Sequence, residues 1–345
     1  MTSRISFKTA LLAAAACAAL PLAATSPALA QSAADFYKSA TVNVLIATAA
    51  GSGYDFEGRL VARHIAKHLP GSPRTVPQNM PGAGGIRVAN TVYNTAPQDG
   101  SNLALVMNSA AMMQAIGGQG VQYDATKFQW VGSLSPAVDS MGVWHTENVK
   151  TIDDAKKKTI AAAATGKGAN SSYIPETMNE LLGTKFKVIT GYSGSPDMNT
   201  AMERGEVGAR GTSWASWVTT RMDWIQNGQF VMIMYAGPKP KDMPAGVPSM
   251  AELVKNPDDI QVMNVVFSGA EFGRPFTFGP GVPKDRVQMM REAFLAMTKD
   301  AEFLGEAQKL KVDIDPVKGE AMQALAAKVV ATPPHLAARA KALVE

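Results

Sequence analysis

The sequence predicts an α/β protein built from two lobes, and three features of its pattern indicate this fold. Short apolar runs alternate with glycine- or serine-rich loops and helical patterns, which is typical of an open, largely parallel sheet. The alternation occurs once in residues 42–107 and again in residues 159–211. The chain then returns through a second extended stretch, predicted at 267–278, to helices at 284–298 and 318–329. Two linkers at one hinge are typical of a clamshell that closes on a ligand.

The first set contains three predicted strands, each followed by a loop of small or polar residues. Strand 42–47 leads into the loop 51–55, and strand 75–78 leads into the glycine-rich loop that ends at Gly85. Strand 103–107 leads into Asn108 and Ser109. The helices that follow would present unpaired backbone N–H groups at one edge of the sheet, and such groups suit anions. We therefore expect a binding surface at this edge.

The second set has the same order, with strands predicted at 159–164, 186–190 and 207–211. A helix is predicted at 173–182, which places Pro175 in its first turn, where proline is tolerated. Ser195 is predicted as the N-cap of the next helix, with Pro196 at the first helical position. The chain is accordingly divided into lobe 1 (31–138 and 272–345) and lobe 2 (139–271).

Residues 1–30 have the features of an export signal that is cleaved after Ala30. Arg4 and Lys8 precede an apolar run, and small residues at 28–30 suit the cleavage site. The alternative is a lipoprotein processed at Cys17, the single cysteine, but the alanines before it are smaller than such sites usually carry. No later segment has the roughly 20 apolar residues that a membrane-spanning helix needs. We expect a soluble periplasmic protein.

Composition and motifs disfavour several other classes of protein. Without Arg4 and Lys8 the chain has 31 basic and 29 acidic residues, which gives no reason to expect nucleic-acid binding. Arg87 stands where a dinucleotide-binding loop needs its last glycine, and no phosphate-loop lysine is present. His64 and His68 have metal-ligand spacing but lack a zinc-protease glutamate, so a solvated helix flank is predicted there. With no supported nucleophile motif either, we expect no enzyme activity, no cofactor and no metal.

Five motifs resemble those of the extracytoplasmic solute receptors of tripartite tricarboxylate transporters, called Bug receptors, over nearly the whole mature chain. They are Gly51–Asp55 with Arg59 and Leu60, Gln78–Gly85, Ala96–Gly100, Gly191–Ser195 and Gly279–Pro283. The resemblance implies a two-lobe periplasmic-binding-protein fold of the type II-like clamshell class, with no enzymatic role. It also implies a small carboxylate solute, held by loops of both lobes, and delivery to the permease subunits of such a transporter. We expect a monomer; the alternative function is a sensor that docks on a histidine-kinase ectodomain.

Two departures from the family pattern lie where the ligand is expected. Ser52 and Tyr54 replace a glycine and a threonine of the first loop, and Arg210 stands near a position that is often acidic in the family. The candidate ligand-binding residues are Ser52, Gly53, Tyr54, Asp55, Gly84, Asn108, Ser109, Ser171, Ser172, Tyr192, Gly194, Ser195, Arg210 and Ser213.

Some of these candidates have alternative interpretations. Asp55 would repel a carboxylate, so bracing its own loop is favoured over direct contact with such a ligand. Gly84 is equally consistent with a structural turn, and the aromatic residues Tyr54 and Tyr192 with core packing. For Arg210, a surface or interlobe salt bridge is favoured over a carboxylate contact.

Overall fold

Two mixed β-sheets, each flanked by helices, form the two lobes, and both are seen in a computed structural model that describes residues 31–344. The predicted signal segment, its cleavage site at Ala30 and Cys17 lie outside the described residues. Residues Ala33–Glu345 form one compact unit. Within residues 31–344, no helix combines the length and the apolar character that crossing a membrane requires.

The strands are β1 (Thr41–Ile46), β2 (Arg74–Asn79), β3 (Asn102–Leu105), β4 (Gln129–Ser133), β5 (Asp139–Trp144), β6 (Ile160–Ala163), β7 (Phe186–Ile189), β8 (Ala209–Ser213), β9 (Phe230–Ala236), β10 (Pro275–Phe278) and β11 (Val317–Lys318). The helices are α1 (Ala33–Ser39), α2 (Gly53–His64), α3 (Ile86–Asn94), α4 (Ala110–Ala115), α5 (Ile152–Ala155), α6 (Asn170–Leu182), α7 (Ser195–Glu203), α8 (Trp214–Thr220), α9 (Met222–Gln226), α10 (Met250–Leu253), α11 (Pro257–Val266), α12 (Gly269–Phe272), α13 (Lys284–Met297), α14 (Ala301–Lys309), α15 (Gly319–Val330) and α16 (Pro334–Val344). Short 3₁₀ turns cover Ile65–His68, Ala83–Gly85 and His145–Glu147.

The first sheet has the order β11-β4-β10-β3-β1-β2, and the second has the order β7-β6-β8-β5-β9. Strands β1, β2 and β3 pair in parallel, as do β6, β7 and β8, which confirms the predicted alternation. Two strands, each next to one of the connections between the lobes, are antiparallel to their neighbours. Strand β10 runs antiparallel to β3 and β4, and β5 runs antiparallel to β8 and β9. The sheets are therefore mixed and not largely parallel.

In sequence, the strands of the first sheet lie both before and after those of the second sheet: β1 to β4 precede it, and β10 and β11 follow it. The lobe boundaries 31–138 with 272–345, and 139–271, are consistent with this order and remain a proposal. The predicted extended stretch 267–278 is wrong in part, because α12 forms a short helix before β10 begins at Pro275.

The start of two helices differs from the sequence prediction. Helix α6 begins at Asn170, so Pro175 lies inside the helix, where it leaves the Ser171 carbonyl without its usual N–H donor. Helix α7 begins at Ser195 and its N-cap is Gly194, so the prediction that Ser195 is the N-cap is wrong. Asp197 braces this start instead, because it accepts hydrogen bonds from the backbone N–H and the hydroxyl of Ser193.

The prediction of a solvated flank at His64 and His68 is also wrong. Their side chains are only 12% and 16% exposed, because this face packs against α14. His64 lies 2.6 Å from a Glu306 oxygen, and Lys67 contacts Asp300 at 2.7 Å and Glu302 at 2.8 Å. His64, Asp300 and Glu302 are close enough to suit a metal, but the Lys67 ammonium already bridges the two carboxylates.

The Ala-Pro-x-Asp-Gly motif at 96–100 is a structural brace. Gln98 donates to the Val92 carbonyl at 2.8 Å and accepts from the Gly281 N–H at 3.0 Å. Asp99 accepts from the Ser101 N–H at 2.9 Å, which closes the turn before β3. The motif therefore joins two segments that are distant in sequence. This structural role explains its residue types without a contact to ligand.

Candidate functional site

Loops at the carboxyl ends of the parallel strands in the two sheets face one another and are in contact. The hydroxyl of Ser109, which follows β3, donates to the Gly168 carbonyl in the loop before α6. A Cβ on Gly194, which precedes α7, would lie 3.0 Å from the Cβ of Ala49, in the loop after β1. The lobes are therefore closed on each other along this line.

Gly84 makes the tightest of these contacts. Its φ is +62°, and a Cβ added to it would lie 2.2 Å from the Lys167 carbonyl oxygen. Only glycine permits this approach, since it combines the left-handed conformation with the absence of a side chain. Contact between the lobes accounts for Gly84, and its contact with ligand remains a prediction.

The loop between β1 and α2 is held by its own side chains. Ser52 caps α2 and accepts from the Asp55 N–H at 3.2 Å. The Asp55 carboxylate accepts from the Gly51 N–H, Arg59 Nε and Asn79 Nδ2, each at 2.8 Å. Both carboxylate oxygens thus have partners within the lobe, as bracing requires.

Below these loops lies a buried polar group of residues that we call the deep cluster: Tyr54, Glu57, Asn108, Asp139 and Arg274. Arg274 Nε donates to Glu57 Oε1 at 2.7 Å, and its guanidinium lies over the Tyr54 ring, 4.1 Å from the centroid. The Asn108 N–H donates to the Tyr54 hydroxyl at 3.1 Å. These side chains are nearly inaccessible to solvent.

Arg274 also connects the deep cluster to the second sheet. Its Nη2 donates to the Ser213 hydroxyl at 2.6 Å and to the Ser216 hydroxyl at 3.1 Å, at the start of α8. A Cβ on Gly53 would lie 2.4 Å from the same Ser216 oxygen, so α2 and α8 meet here. Sequence reasoning missed Arg274. The one available signal was an isolated arginine between apolar residues in a predicted crossing.

Burial governs the ionisation of this cluster. Burial raises the pKa of Glu57 and Asp139, while Arg274 acts against it at both carboxyls. The Asp139 carboxylate also accepts from the Tyr173 hydroxyl at 2.6 Å and from Asn170 Nδ2 at 3.2 Å. Burial lowers the pKa of Arg274, but Glu57 and Tyr54 outweigh it and hold that pKa above its usual range. Arg274 therefore stays charged and pairs with Glu57.

Three buried atoms of the deep cluster have no hydrogen-bond partner within the described chain: Asn108 Nδ2, Asn108 Oδ1 and Arg274 Nη1. Burial, followed by Asp139, raises the pKa of Tyr173 well above its usual range, and Asn108 acts against this rise. Neither amide atom of Asn108 reaches Tyr173 with hydrogen-bond geometry. Asn108 is 1% exposed and Arg274 is 2% exposed. Because buried polar groups are almost always paired, these atoms require a ligand or ordered water.

The other candidates in the second lobe have different surroundings. The Ser171 hydroxyl accepts from the Thr165 N–H at 3.2 Å, and the Ser172 hydroxyl donates to Glu176 Oε2 at 3.2 Å. Tyr192 is half-buried against the smaller hydrophobic core around Trp217. These residues shape the loops, and their contact with ligand remains a prediction.

Arg210 is fully buried, and the expected salt bridge is not formed. No carboxylate of residues 31–344 pairs with it, and its guanidinium lies 4.1 Å from the centroid of the Trp217 ring. It donates to the Asn199 side chain and to the Ser195 carbonyl, the latter at 3.4 Å, while Nε and Nη2 have no partner in the described chain. Burial, followed by the neighbouring Arg221, lowers the pKa of Arg210 to about 9. Arg210 is thus a buried cation that pairs with no carboxylate of residues 31–344, and it lies on the face of β8 opposite to Ser213.

Two large cavities lie away from these loops. One, of about 710 Å³, is bordered by the outer strand β9. The other, of about 930 Å³, is lined by residues of α11, α12 and α15. Neither includes the deep cluster, so we assign the candidate site from the unpartnered groups and not from cavity size.

Comparison with known proteins gives the same relatives that the motifs predict. A UPF0065 protein of Bordetella bronchiseptica is 29% identical over 176 residues, which span 50% of this chain and 51% of the relative. The structure of the periplasmic binding protein BugD matches with a TM-score of 0.70 and 21% identity, covering 88% of this chain and 98% of BugD. The predicted resemblance to Bug receptors is confirmed. No protein-family model matches the chain.

Two further structures share the fold. A TctC solute-binding protein from Polaromonas matches with a TM-score of 0.55 and 18% identity, over 86% of this chain and 97% of its own. MatC from Rhodopseudomonas palustris, with bound malate, matches with a TM-score of 0.67 and 17% identity, over 86% and 98%. The two-lobe periplasmic-binding-protein fold is therefore established for this chain.

The contributions of Arg274 and Glu57 to the free energy of unfolding should be strongly coupled. Replacement of Arg274 by Met leaves a buried carboxylate unpaired, so we expect a loss of about 3–5 kcal/mol in the free energy of unfolding. The double variant Glu57→Met/Arg274→Met should lose much less than the sum of the single variants. Urea unfolding of all four proteins measures the coupling energy. The exposed pair Asp35–Lys38 is the control and should show less than about 1 kcal/mol. Equal coupling energies in the two pairs would contradict the assignment of Arg274 and Glu57 as a buried ion pair in which each residue stabilises the other.

Gly84→Ala should impair closure more than folding. The variant should lose roughly 1–2 kcal/mol of stability from its left-handed backbone and should also bind ligand more weakly. Gly120→Ala is a matched control, because Gly120 has φ +80° and open space around its Cβ position. It should lose similar stability without losing affinity, as measured by calorimetry. Equal affinity of the two variants would show that the contact with Lys167 is dispensable.

Glu176 should make stability depend on pH. Burial raises its pKa to about 7, against the opposing hydrogen bond from Ser172. Because the folded state binds the proton more tightly, stability should fall as pH rises from about 4.5 to 7. Glu176→Gln should be more stable than the wild type at pH 8, by about 1 kcal/mol after allowance for partial exposure, and equal to it at pH 4. Urea unfolding checks this, with Glu180→Gln on the same helix expected to follow the wild type.

Proposed function

We propose that this protein is a periplasmic solute receptor that captures a small organic carboxylate between its lobes and releases it unchanged. The observation that carries the proposal is that buried hydrogen-bonding groups without a partner in the described chain occur on both sheets, next to loops that close on each other. Arg274 Nη1 and Asn108 lie on the first sheet's side, and Arg210 Nε and Nη2 lie on the second. The malate bound to MatC supports a carboxylate as the class of solute.

Arg210 supports the negative charge of the ligand. A buried guanidinium without a carboxylate is costly, and an anion that enters the closed site would relieve that cost. Its contacts to Ser195 and Asn199 place it under the first turns of α7, whose preceding residue, Gly194, approaches lobe 1. We therefore assign Arg210 to the carboxylate of the solute.

A membrane permease is the partner that we propose. BugD and the TctC protein from Polaromonas share this fold, and a receptor that releases its solute unchanged needs a membrane component to move that solute inward. The export signal proposed for residues 1–30 would place the protein in the periplasm, where such a permease is reached.

A ligand panel tests the proposal. Mono- or dicarboxylates should raise the melting temperature, with stabilisation of about 2.7 kcal/mol at a hundredfold excess over Kd, whereas sugars and cations should not. Native mass spectrometry before and after incubation should recover the solute chemically unchanged. Stabilisation by a neutral or cationic solute, with none by any carboxylate, would refute the receptor assignment.

Arg210→Met separates the role of the arginine from the function as a whole. Binding of carboxylates should weaken by about tenfold or more, because a charge-assisted hydrogen bond contributes roughly 1.5–3 kcal/mol. Unchanged affinity would remove Arg210 from the site and leave the receptor function in place.

A further inference from the structure

We infer that the deep cluster selects the second polar group of the solute, and that this group is neutral and can both donate and accept a hydrogen bond: a carboxamide or a hydroxyl, not a second carboxylate. The inference rests on the proposed carboxylate-receptor function. It narrows the solute to a monocarboxylate with an uncharged hydrogen-bonding group at its other end.

The first observation is the chemistry of the unpartnered atoms. Within residues 31–344, Asn108 has one donor, Nδ2, and one acceptor, Oδ1, that find no partner, and Arg274 adds a third such atom, the donor Nη1. Asn108 cannot turn away to water, because it is buried and a Cβ on Gly269 would lie 3.1 Å from its Nδ2. A carboxamide, which also has a donor and an acceptor, can satisfy both atoms of Asn108. A carboxylate only accepts, so it would leave Oδ1 unpaired.

The second observation is the balance of charge. Arg274 is already neutralised by Glu57, whose Oε1 lies 2.7 Å from its Nε, and both side chains are at most 3% exposed. Asp139 adds a second fully buried carboxyl near Arg274. The deep cluster therefore has a net charge of zero or below, whichever way Asp139 is protonated. A second carboxylate here would be desolvated without a compensating cation.

The nearby helix N-termini do not change this balance. Asp55 accepts from the Gly51 N–H at the start of α2, and Asp139 accepts from Asn170 in the first turn of α6. Each of these two positive helix ends already has a buried carboxyl beside it. Arg210, which no carboxylate of the described chain pairs, is instead the group that suits the charged end of the solute.

Matched solutes test this selectivity. Succinate has two carboxylates, succinamate replaces one with a carboxamide, and butanoate replaces it with a methyl group; the five- and six-carbon series provide the same comparison. In the series whose chain length binds most tightly, the amide should bind at least about tenfold more tightly than either the diacid or the alkyl acid. The reason is that a site built to hydrogen-bond a group rejects analogues that cannot pair with it. Calorimetry gives the three values of Kd.

Two variants locate the selectivity. Glu57→Gln keeps an acceptor for Arg274 but removes the neutralising charge, so the ratio of diacid affinity to amide affinity should rise at least about tenfold. Asn108→Ser should reduce the affinity for the amide to that for the alkyl acid and leave the alkyl acid within about threefold. Asn94→Ala, at the exposed end of α3, is the control and should change none of the three. A merely structural role of Glu57 would lower all affinities together and leave the ratio unchanged.

The possible outcomes separate the two proposals. If the diacid binds as tightly as the amide in the wild type, the neutral-group inference is wrong and the receptor function stands. If Glu57→Gln leaves the ratio unchanged, the charge argument is wrong even where the amide is preferred. If no member of any series binds, while a neutral or cationic solute does, both proposals fall together.

Discussion

The buried pair of Arg274 and Glu57 is the constraint on which the centre of the molecule depends. Glu57 lies on α2 and Arg274 lies 217 residues further along the chain, immediately before β10. The same guanidinium covers the Tyr54 ring and reaches the hydroxyls of Ser213 and Ser216 in the other sheet. One side chain thus joins both lobes, and α2 must approach α8 so closely that only glycine fits at position 53. The pair is costly to bury, but it is far more costly to break, which fixes this arrangement.

The sequence was sufficient to predict the elements that have a local signal. The strands β1, β2, β3, β6, β7 and β8 were predicted from the alternation of short strand patterns with loops of small residues, and α13 begins at its predicted first residue, Lys284. The antiparallel pairing of β5 and β10 was missed, because it is decided by which strands become neighbours after the chain crosses between lobes. The cap of α7 was misplaced by one residue, since serine and glycine both suit that position and only the backbone conformation distinguishes them.

The candidate site shows the same division between local and distant information. Ser52, Asn108 and Ser109 could be selected because polar residues directly after strands lie at the sheet edge where loops gather. Arg274 could not, because nothing within ten residues of it indicates Glu57, Tyr54 or Ser213 as its partners. Arg210 was noticed as an unusual residue, but a surface or interlobe salt bridge was favoured there over a contact with a carboxylate ligand. The structure instead stacks it on Trp217, and two of its nitrogens find no hydrogen-bond partner among residues 31–344.

Closure and the proposed recognition of the solute use different parts of the molecule. Contacts at the rim of the cleft, at Gly84 and Gly194, are made by backbone and by small side chains, which bring the lobes together without choosing among solutes. The groups that can discriminate lie deeper, where water is excluded and each unsatisfied hydrogen bond is costly. Their charges differ, because Arg210 pairs with no carboxylate in the part of the chain that the structure describes, while Arg274 pairs with Glu57. A solute with two identical charged ends would suit one of these environments and not the other, so this asymmetry, more than the size of the cleft, is what should set specificity.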